Sequence, residues 1–131
     1  MDDPGLPRIL IVEDNPANRK LAEIILMNAG YRTLTAQDGL QGLAEARRLR
    51  PELILLDIQL PGLDGLTIAR LLKSDPETRA IPIIAMTSLA MKGDEERILT
   101  SGCDAYLSKP VGRALLLESL SRLSPKGTAD G

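Results

Sequence analysis

Three acidic residues of this sequence directly follow purely apolar runs. Glu13 and Asp14 come after residues 9–12, and Asp57 comes after residues 53–56. Apolar runs of this length are typical of buried strands in a parallel sheet, whose carboxyl ends are the usual ligand sites. Carboxylates that lie close together raise one another's pKa unless a cation neutralises them. The pattern therefore predicts a carboxylate cluster at one edge of a sheet that binds a hard divalent metal such as Mg²⁺.

Two further polar groups follow predicted strands in the second half of the chain. Thr87 comes after residues 81–86, and Lys109 ends a short strand and precedes Pro110. A bond before proline can adopt the cis form, which would turn the chain sharply and aim the ammonium inward. Carboxylates, a hydroxyl, an ammonium and a divalent metal are the groups of phosphoryl transfer, where the protein supplies positioning and charge neutralisation. The spacing therefore predicts phosphoryl-transfer chemistry.

The hydrophobic pattern indicates the elements that must position these residues. Short apolar runs alternate with segments of helical periodicity, which is typical of βα units. Right-handed crossovers and a weakly apolar second strand predict an α/β fold: a (βα)5 doubly wound parallel five-stranded sheet in the order 2-1-3-4-5. Its switch point lies between the two strands that end in the acids. The predicted strands occupy residues 8–13, 31–36, 53–57, 81–86 and 105–108.

Capping and stop residues mark the helices between these strands. Asn15, followed by Pro16, and Asp64 are typical residues for the start of a helix, and Gly30 and Gly102 are typical of its end. The second helix is predicted over residues 40–49, the fourth over residues 92–101 and the fifth around residues 115–120. We expect a folded domain over residues 8–123, an N-terminal extension over residues 1–7 and a frayed tail over residues 124–131.

The composition argues against several classes of function. The 131 residues suffice for one domain, and a net charge of -2 with 2% aromatic residues gives no basis for binding nucleic acid. No apolar stretch approaches membrane-spanning length, and the polar start is unlike a signal peptide. The absence of His removes the commonest general base and the usual zinc ligands. The single cysteine, Cys103, fits a reducing cytoplasm, so we expect a cytoplasmic protein without nucleic-acid or membrane partners.

The chain resembles the receiver domains of two-component response regulators, the CheY-like superfamily, over residues 8–123. Within that family, residues 90–97 (AMKGDEER) and the following Gly102-Cys103 resemble the DivK type of single-domain regulator. The receiver motifs stand in the family's order and spacing: VEDN at residues 12–15, LDIQLPGLDG at residues 56–65, AMTS at residues 85–88 and SKP at residues 108–110.

The resemblance implies a phosphoryl group on Asp57, received from the phosphohistidine of a sensor histidine kinase or histidine phosphotransferase. It implies Mg²⁺ bound directly by Asp14 and Asp57, by Glu13 through metal-bound water, and by the backbone carbonyl of Gln59. It implies slow Mg²⁺-dependent loss of the phosphoryl group, and no enzyme activity on a separate substrate. The DivK-type similarity implies control of cell division or cell fate in a bacterium.

The resemblance also implies a switch. Thr87 would hydrogen-bond the phosphoryl oxygens, and Lys109 would pair with Asp57 before phosphorylation and with the phosphoryl group afterwards. Tyr106 stands at the family's switch position and would move inward with Thr87. The surface built from the fourth helix, fifth strand and fifth helix would then change its binding to an unknown target protein. With no residues left for an output domain, output is expected through protein contacts or onward phosphotransfer.

Other interpretations remain open from the sequence. Asp57 can be a structural acid paired with Lys109, and Tyr106 an ordinary half-buried aromatic residue. A phosphatase with an Asp nucleophile would need a second acid two residues later, where this chain has Gln59. A phosphorylation-independent interaction module usually lacks an acid, the Thr or the Lys, and all are present here. A flavodoxin-like electron carrier would need flavin-binding loops, which are absent.

Overall fold

The computed structural model describes residues 7–60, 62, 64–88 and 92–123, without the side chains of residues 92–94. The predicted tail, the predicted extension apart from Pro7, and residues 61, 63, 90 and 91 of the quoted motifs lie outside this description.

Strands and helices alternate throughout the described part of the chain. They are β1 (Arg8–Val12), α1 (Pro16–Asn28), β2 (Arg32–Ala36), α2 (Gly39–Leu49), β3 (Leu53–Asp57), α3 (Gly65–Ser74), β4 (Ile83–Thr87), α4 (Lys92–Thr100), β5 (Ala105–Ser108) and α5 (Arg113–Leu123). All strand pairs are parallel and the sheet order is β2-β1-β3-β4-β5, which confirms the predicted fold. None of the described helices has the length and apolar composition that a bilayer crossing requires.

The alternation of side chains along the strands divides the core into two layers. Leu10, Val12 and Leu56 face the layer that also contains buried residues of α2, α3 and α4. Ile11 and Leu55 face the opposite layer, against α1 and α5. The buried strands β1, β3 and β4 are therefore apolar on both faces, which is the reason for their continuous apolar runs.

The register brings the functional ends of the strands together. Val12 pairs with Leu56, and Asp57 pairs with Met86, so β1, β3 and β4 finish at the same edge. The predicted caps are confirmed, because the Asn15 side chain accepts a hydrogen bond from the N–H of Asn18, and Asp64 caps α3 in the same way.

Several element boundaries differ from the prediction by one or two residues, and two of these differences have clear local reasons. The fourth strand begins at Ile83 rather than residue 81, because the N–H of Ile81 donates to the carbonyl of Thr78 in a turn and Pro82 has no N–H. The second helix begins at Gly39 rather than residue 40, because the side chain of Asp38 caps it by accepting from the N–H of Gln41.

Gly65 permits the start of α3 to lie directly against the end of β3. A Cβ atom at this position would overlap the carbonyl oxygen of Asp57 and the Cα of Ile58. The N–H of Gly65 donates to the carbonyl of Ile58 at 3.2 Å, which holds this close approach in place.

We expect Gly65→Ala to lower the free energy of unfolding by about 1–3 kcal/mol, because the backbone must move to accept the new methyl group. Urea denaturation measures this loss. Gly112→Ser is the matched control, since its Cβ would meet nothing within 4 Å and serine is favoured at a helix N-cap. Equal stability of Gly65→Ala and wild type would contradict this interpretation.

Candidate functional site

Three carboxylates meet at the carboxyl edge of the sheet. Ligand oxygens of Glu13, Asp14 and Asp57 all lie within 4.8 Å of one another, as the apolar runs predict. Glu13 and Asp57 are buried and Asp14 is exposed. Side chains alternate along β1 and β3, and in this alternation Glu13 and Asp57 fall on the face of the sheet that packs against α1 and α5. Because both residues lie on this face, their carboxylates come together.

Lys109 supplies the positive charge between the two buried acids. Its ammonium lies 2.9 Å from Oδ2 of Asp57 and 3.2 Å from Oε1 of Glu13. The residue follows β5, so its side chain must span β4 to reach Asp57 on β3. The N–H of Lys109 donates to the carbonyl of Thr87 at 2.8 Å, and its bond to Pro110 is cis, as the sequence allows.

Glu13 occupies an electrostatically unfavourable position. Burial raises the pKa of its carboxyl, the N–H of Asn15 opposes this rise, and the negative charge of Asp57 adds to it. Asn15 donates to Oε2 at 3.0 Å, whereas Oε1 is buried without a well-directed hydrogen bond. The net effect is a raised pKa even though Lys109 lies beside it.

At Lys109, the neighbouring carboxylates outweigh the effect of burial on the pKa of the ammonium. Burial by itself would lower the pKa of the ammonium, while the hydrogen bond to Asp57 and the charges of Asp57 and Glu13 raise it above its usual value. Lys109 is therefore protonated at neutral pH and contributes a permanent positive charge to the site.

The donor set fits a hard divalent cation. Three carboxylates face one ammonium, so the cluster holds excess negative charge, and Oε1 of Glu13 lacks a well-directed donor. Carboxylate oxygens are the ligands that such ions prefer. Gln59 stands beside this cluster, and its N–H donates to Oδ1 of Asp57 at 2.9 Å.

The remaining predicted residues lie on β4 and β5. Thr87 is fully buried at the end of β4, one residue beyond the partner of Asp57 in the register. Tyr106 is half-buried on β5 and packs against the layer beneath α2, α3 and α4. The pKa of its hydroxyl is raised by partial burial and then by the hydrogen bond and charge of Glu95 on α4.

Two interactions near the site were not predicted from the sequence. The carboxylate of Glu95 on α4 interacts with the Tyr106 hydroxyl on β5. The carboxamide oxygen of Gln59 accepts hydrogen bonds from both the N–H and the hydroxyl of Ser88. Gln59 and Ser88 are 29 residues apart, and no local pattern in the sequence indicates this contact.

The comparisons with known proteins assign this site to a family. The model of the response regulator receiver domain matches residues 9–121, and the chain belongs to this family. Over 112 residues it is 49% identical to the polar-differentiation response regulator DivK of Brucella anthropi, covering 86% of this chain and 91% of that protein. The DivK protein of Brucella ovis is 48% identical with the same coverage.

Solved structures give the same result. The receiver domain of a sensor histidine kinase from Pseudomonas aeruginosa, which holds a magnesium ion in its active-site cleft, matches with a TM-score of 0.84 and 41% identity, covering 91% of this chain and 98% of that one. The chemotaxis protein CheY4 of Vibrio cholerae matches with a TM-score of 0.85 and 26% identity, covering 91% and 99%. The chain is thus a DivK-like receiver of two-component signalling, and a phosphorylation-independent module is not favoured.

The buried charge balance leads to a stability prediction. Lys109→Met keeps the apolar stem but leaves Asp57 and Glu13 without their cation, so we expect the free energy of unfolding to fall by about 3 kcal/mol in chelator-treated buffer. Urea denaturation checks this value. Lys20→Met, at an exposed position on α1, serves as the control and should change stability by about 0.5 kcal/mol or less. Similar losses of stability in Lys109→Met and Lys20→Met would show that the ion pairs of Lys109 contribute little to stability.

Proposed function

We propose that Asp57 accepts a phosphoryl group from the phosphohistidine of a sensor histidine kinase or histidine phosphotransferase, in a reaction that requires Mg²⁺. The observation that carries this proposal is the position of the buried Asp57 carboxylate, 2.9 Å from the Lys109 ammonium and within 4.8 Å of the other two acids. A cation and a carboxylate cluster around one acid are what phosphoryl transfer to a carboxylate needs.

In the proposed reaction a carboxylate oxygen of Asp57 attacks phosphorus, the phosphorus–nitrogen bond breaks, and the departing imidazole takes its proton from solvent. Asp14 and Asp57 would hold Mg²⁺ directly, with Glu13 acting through water and Gln59 through its carbonyl. Bound there, Mg²⁺ neutralises negative charge on the phosphoryl oxygens. Lys109 moves from the carboxylate to the phosphoryl group and keeps the product's charge compensated.

The same reaction would operate the switch. The phosphoryl group adds about -1.5 to -2 charges and strong acceptors. Thr87 would donate its hydroxyl to one of them, and Tyr106 would then leave Glu95 and move inward. We place the responsive surface on α4, β5 and α5, where Leu99 and Leu115 are 45% and 60% exposed. The target protein would bind there.

The approach of the phosphohistidine is proposed along the side of the site that α1 forms. Leu21 of α1 and Val111 line the same depression as Glu13 and Lys109, and Leu21 is 41% exposed. An apolar rim beside a charged centre suits a helix that presents its histidine to Asp57.

The remaining features follow from the same proposal. We propose slow Mg²⁺-dependent loss of the phosphoryl group, no activity on a separate substrate, and a cytoplasmic location. Residues 8–123 would be the receiver domain, flanked by an extension over residues 1–7 and a tail over residues 124–131. The likeness to the polar-differentiation regulators supports a role in bacterial cell fate.

Metal binding is testable apart from phosphorylation. At ten times its dissociation constant, Mg²⁺ should add about 1.4 kcal/mol to the free energy of unfolding of the wild type. Asp14→Asn should lose most of this gain, because it removes a direct ligand. Glu77→Gln, in the turn that leads from α3 to the amino end of β4, lies at the opposite edge of the sheet and should keep the gain. Equal Mg²⁺ responses in both variants would argue against Asp14 as a ligand.

Phosphorylation is tested by intact mass after incubation with acetyl phosphate and Mg²⁺. We expect one phosphoryl adduct on the wild type, none with chelator, and none on Asp57→Asn, since the amide is not a nucleophile for phosphorus. Asp64→Asn, which retains the cap of α3, should carry the adduct. An adduct that persists on Asp57→Asn would place the phosphoryl group elsewhere.

A further inference from the structure

Gln59 makes two different connections at the mouth of the site. Its backbone N–H donates to Oδ1 of Asp57 at 2.9 Å, so its main chain is fixed by the proposed phosphoacceptor. Its side-chain oxygen accepts from the N–H of Ser88 at 3.1 Å and from the hydroxyl of Ser88 at 2.7 Å. The residue therefore joins the end of β3 to the end of β4 across the carboxyl edge of the sheet.

Ser88 is committed to Gln59 through both of its donors. It directly follows Thr87, whose carbonyl accepts a hydrogen bond from the N–H of Lys109. The backbone that precedes Ser88 is therefore anchored to the end of β5. A group attached to Asp57 can receive a hydrogen bond from the N–H of Ser88 only after the bond from this N–H to the carboxamide oxygen has been broken. The contact is exposed, so water can replace it at small expense.

We propose that the Gln59 side chain is a positioning residue that holds Ser88 in the unphosphorylated arrangement and thereby opposes binding of the phosphoryl group. We name this contact the Gln59–Ser88 clasp. The inference rests on the function proposed for Asp57, because the clasp matters only if a phosphoryl group arrives there. Stabilising only the unmodified state lowers the apparent affinity for any phosphoryl-like ligand.

The size of the effect follows from the interactions involved. Breaking one to two exposed hydrogen bonds corresponds to about a 2- to 10-fold change in affinity. The backbone connection of Gln59 to Asp57 remains in any side-chain variant. Truncation of the side chain should therefore release Ser88 without disturbing the position of Asp57.

The test uses beryllofluoride, which coordinates a carboxylate oxygen and imitates a phosphoryl group, titrated by ¹⁹F NMR at saturating Mg²⁺ for each variant. We expect Gln59→Ala to bind it about 2- to 10-fold more tightly than the wild type. Ser88→Ala retains the N–H arm of the clasp and should show a smaller gain. Ser88→Ala added to Gln59→Ala should change nothing further, because the Ser88 hydroxyl acts through Gln59.

The outcomes separate this inference from the proposed function. Unchanged or weaker binding by Gln59→Ala, with Asp57-dependent binding by the wild type, overturns the clasp and leaves the proposed function standing. Additive effects of the two substitutions also overturn it, since a clasp requires coupling. Absence of beryllofluoride binding by the wild type would overturn both.

Discussion

The structure depends on a charge balance in which the negative charge of the carboxylates exceeds the positive charge that neutralises it. Two buried carboxylates, Glu13 and Asp57, share a single ammonium from Lys109, and the exposed Asp14 adds further negative charge within 4.8 Å. Burial raises the pKa of Glu13, and the charge of Asp57 raises it further, so the cluster gains from any additional cation. A site that is anionic, buried at its base and open at its rim suits a metal ion, because the ion neutralises the excess negative charge. The metal ion and Lys109 together can then compensate the charge of a phosphoryl group.

The fold provides the balance through alternation and strand order. Glu13 and Asp57 lie at the carboxyl ends of β1 and β3, on the same face of the sheet. They come close together because β1 and β3 are neighbouring strands. Lys109 directly follows β5, and the length of its side chain lets it reach across β4. Gly65 lets α3 begin against the backbone of Asp57 without pushing it out of place. The apolar layers on both faces exclude water from the base of the site, which strengthens every charge interaction there.

Direct contacts connect Asp57 to the ends of β4 and β5. Lys109 contacts Asp57 through its side chain and Thr87 through its backbone, so β4 and β5 are connected at the site. Tyr106, three residues before Lys109, is linked to α4 through Glu95. These contacts would carry the proposed change of charge at Asp57 to the surface that α4 and β5 form.

The sequence by itself determined the order and type of the elements and the meeting of the three carboxylates. Carboxyl ends of neighbouring parallel strands must share an edge, and apolar runs that end in acids are visible in one dimension. Local chemistry also predicted the caps at Asn15 and Asp64. The pairing of Lys109 with Asp57 was expected from the receiver resemblance, whereas only the tertiary structure decided the other side-chain pairs at that edge. The Gln59–Ser88 clasp and the bond between Tyr106 and Glu95 join separate loops or elements. Periodicity and capping rules describe only neighbours along the chain, so they carry no information on such pairs.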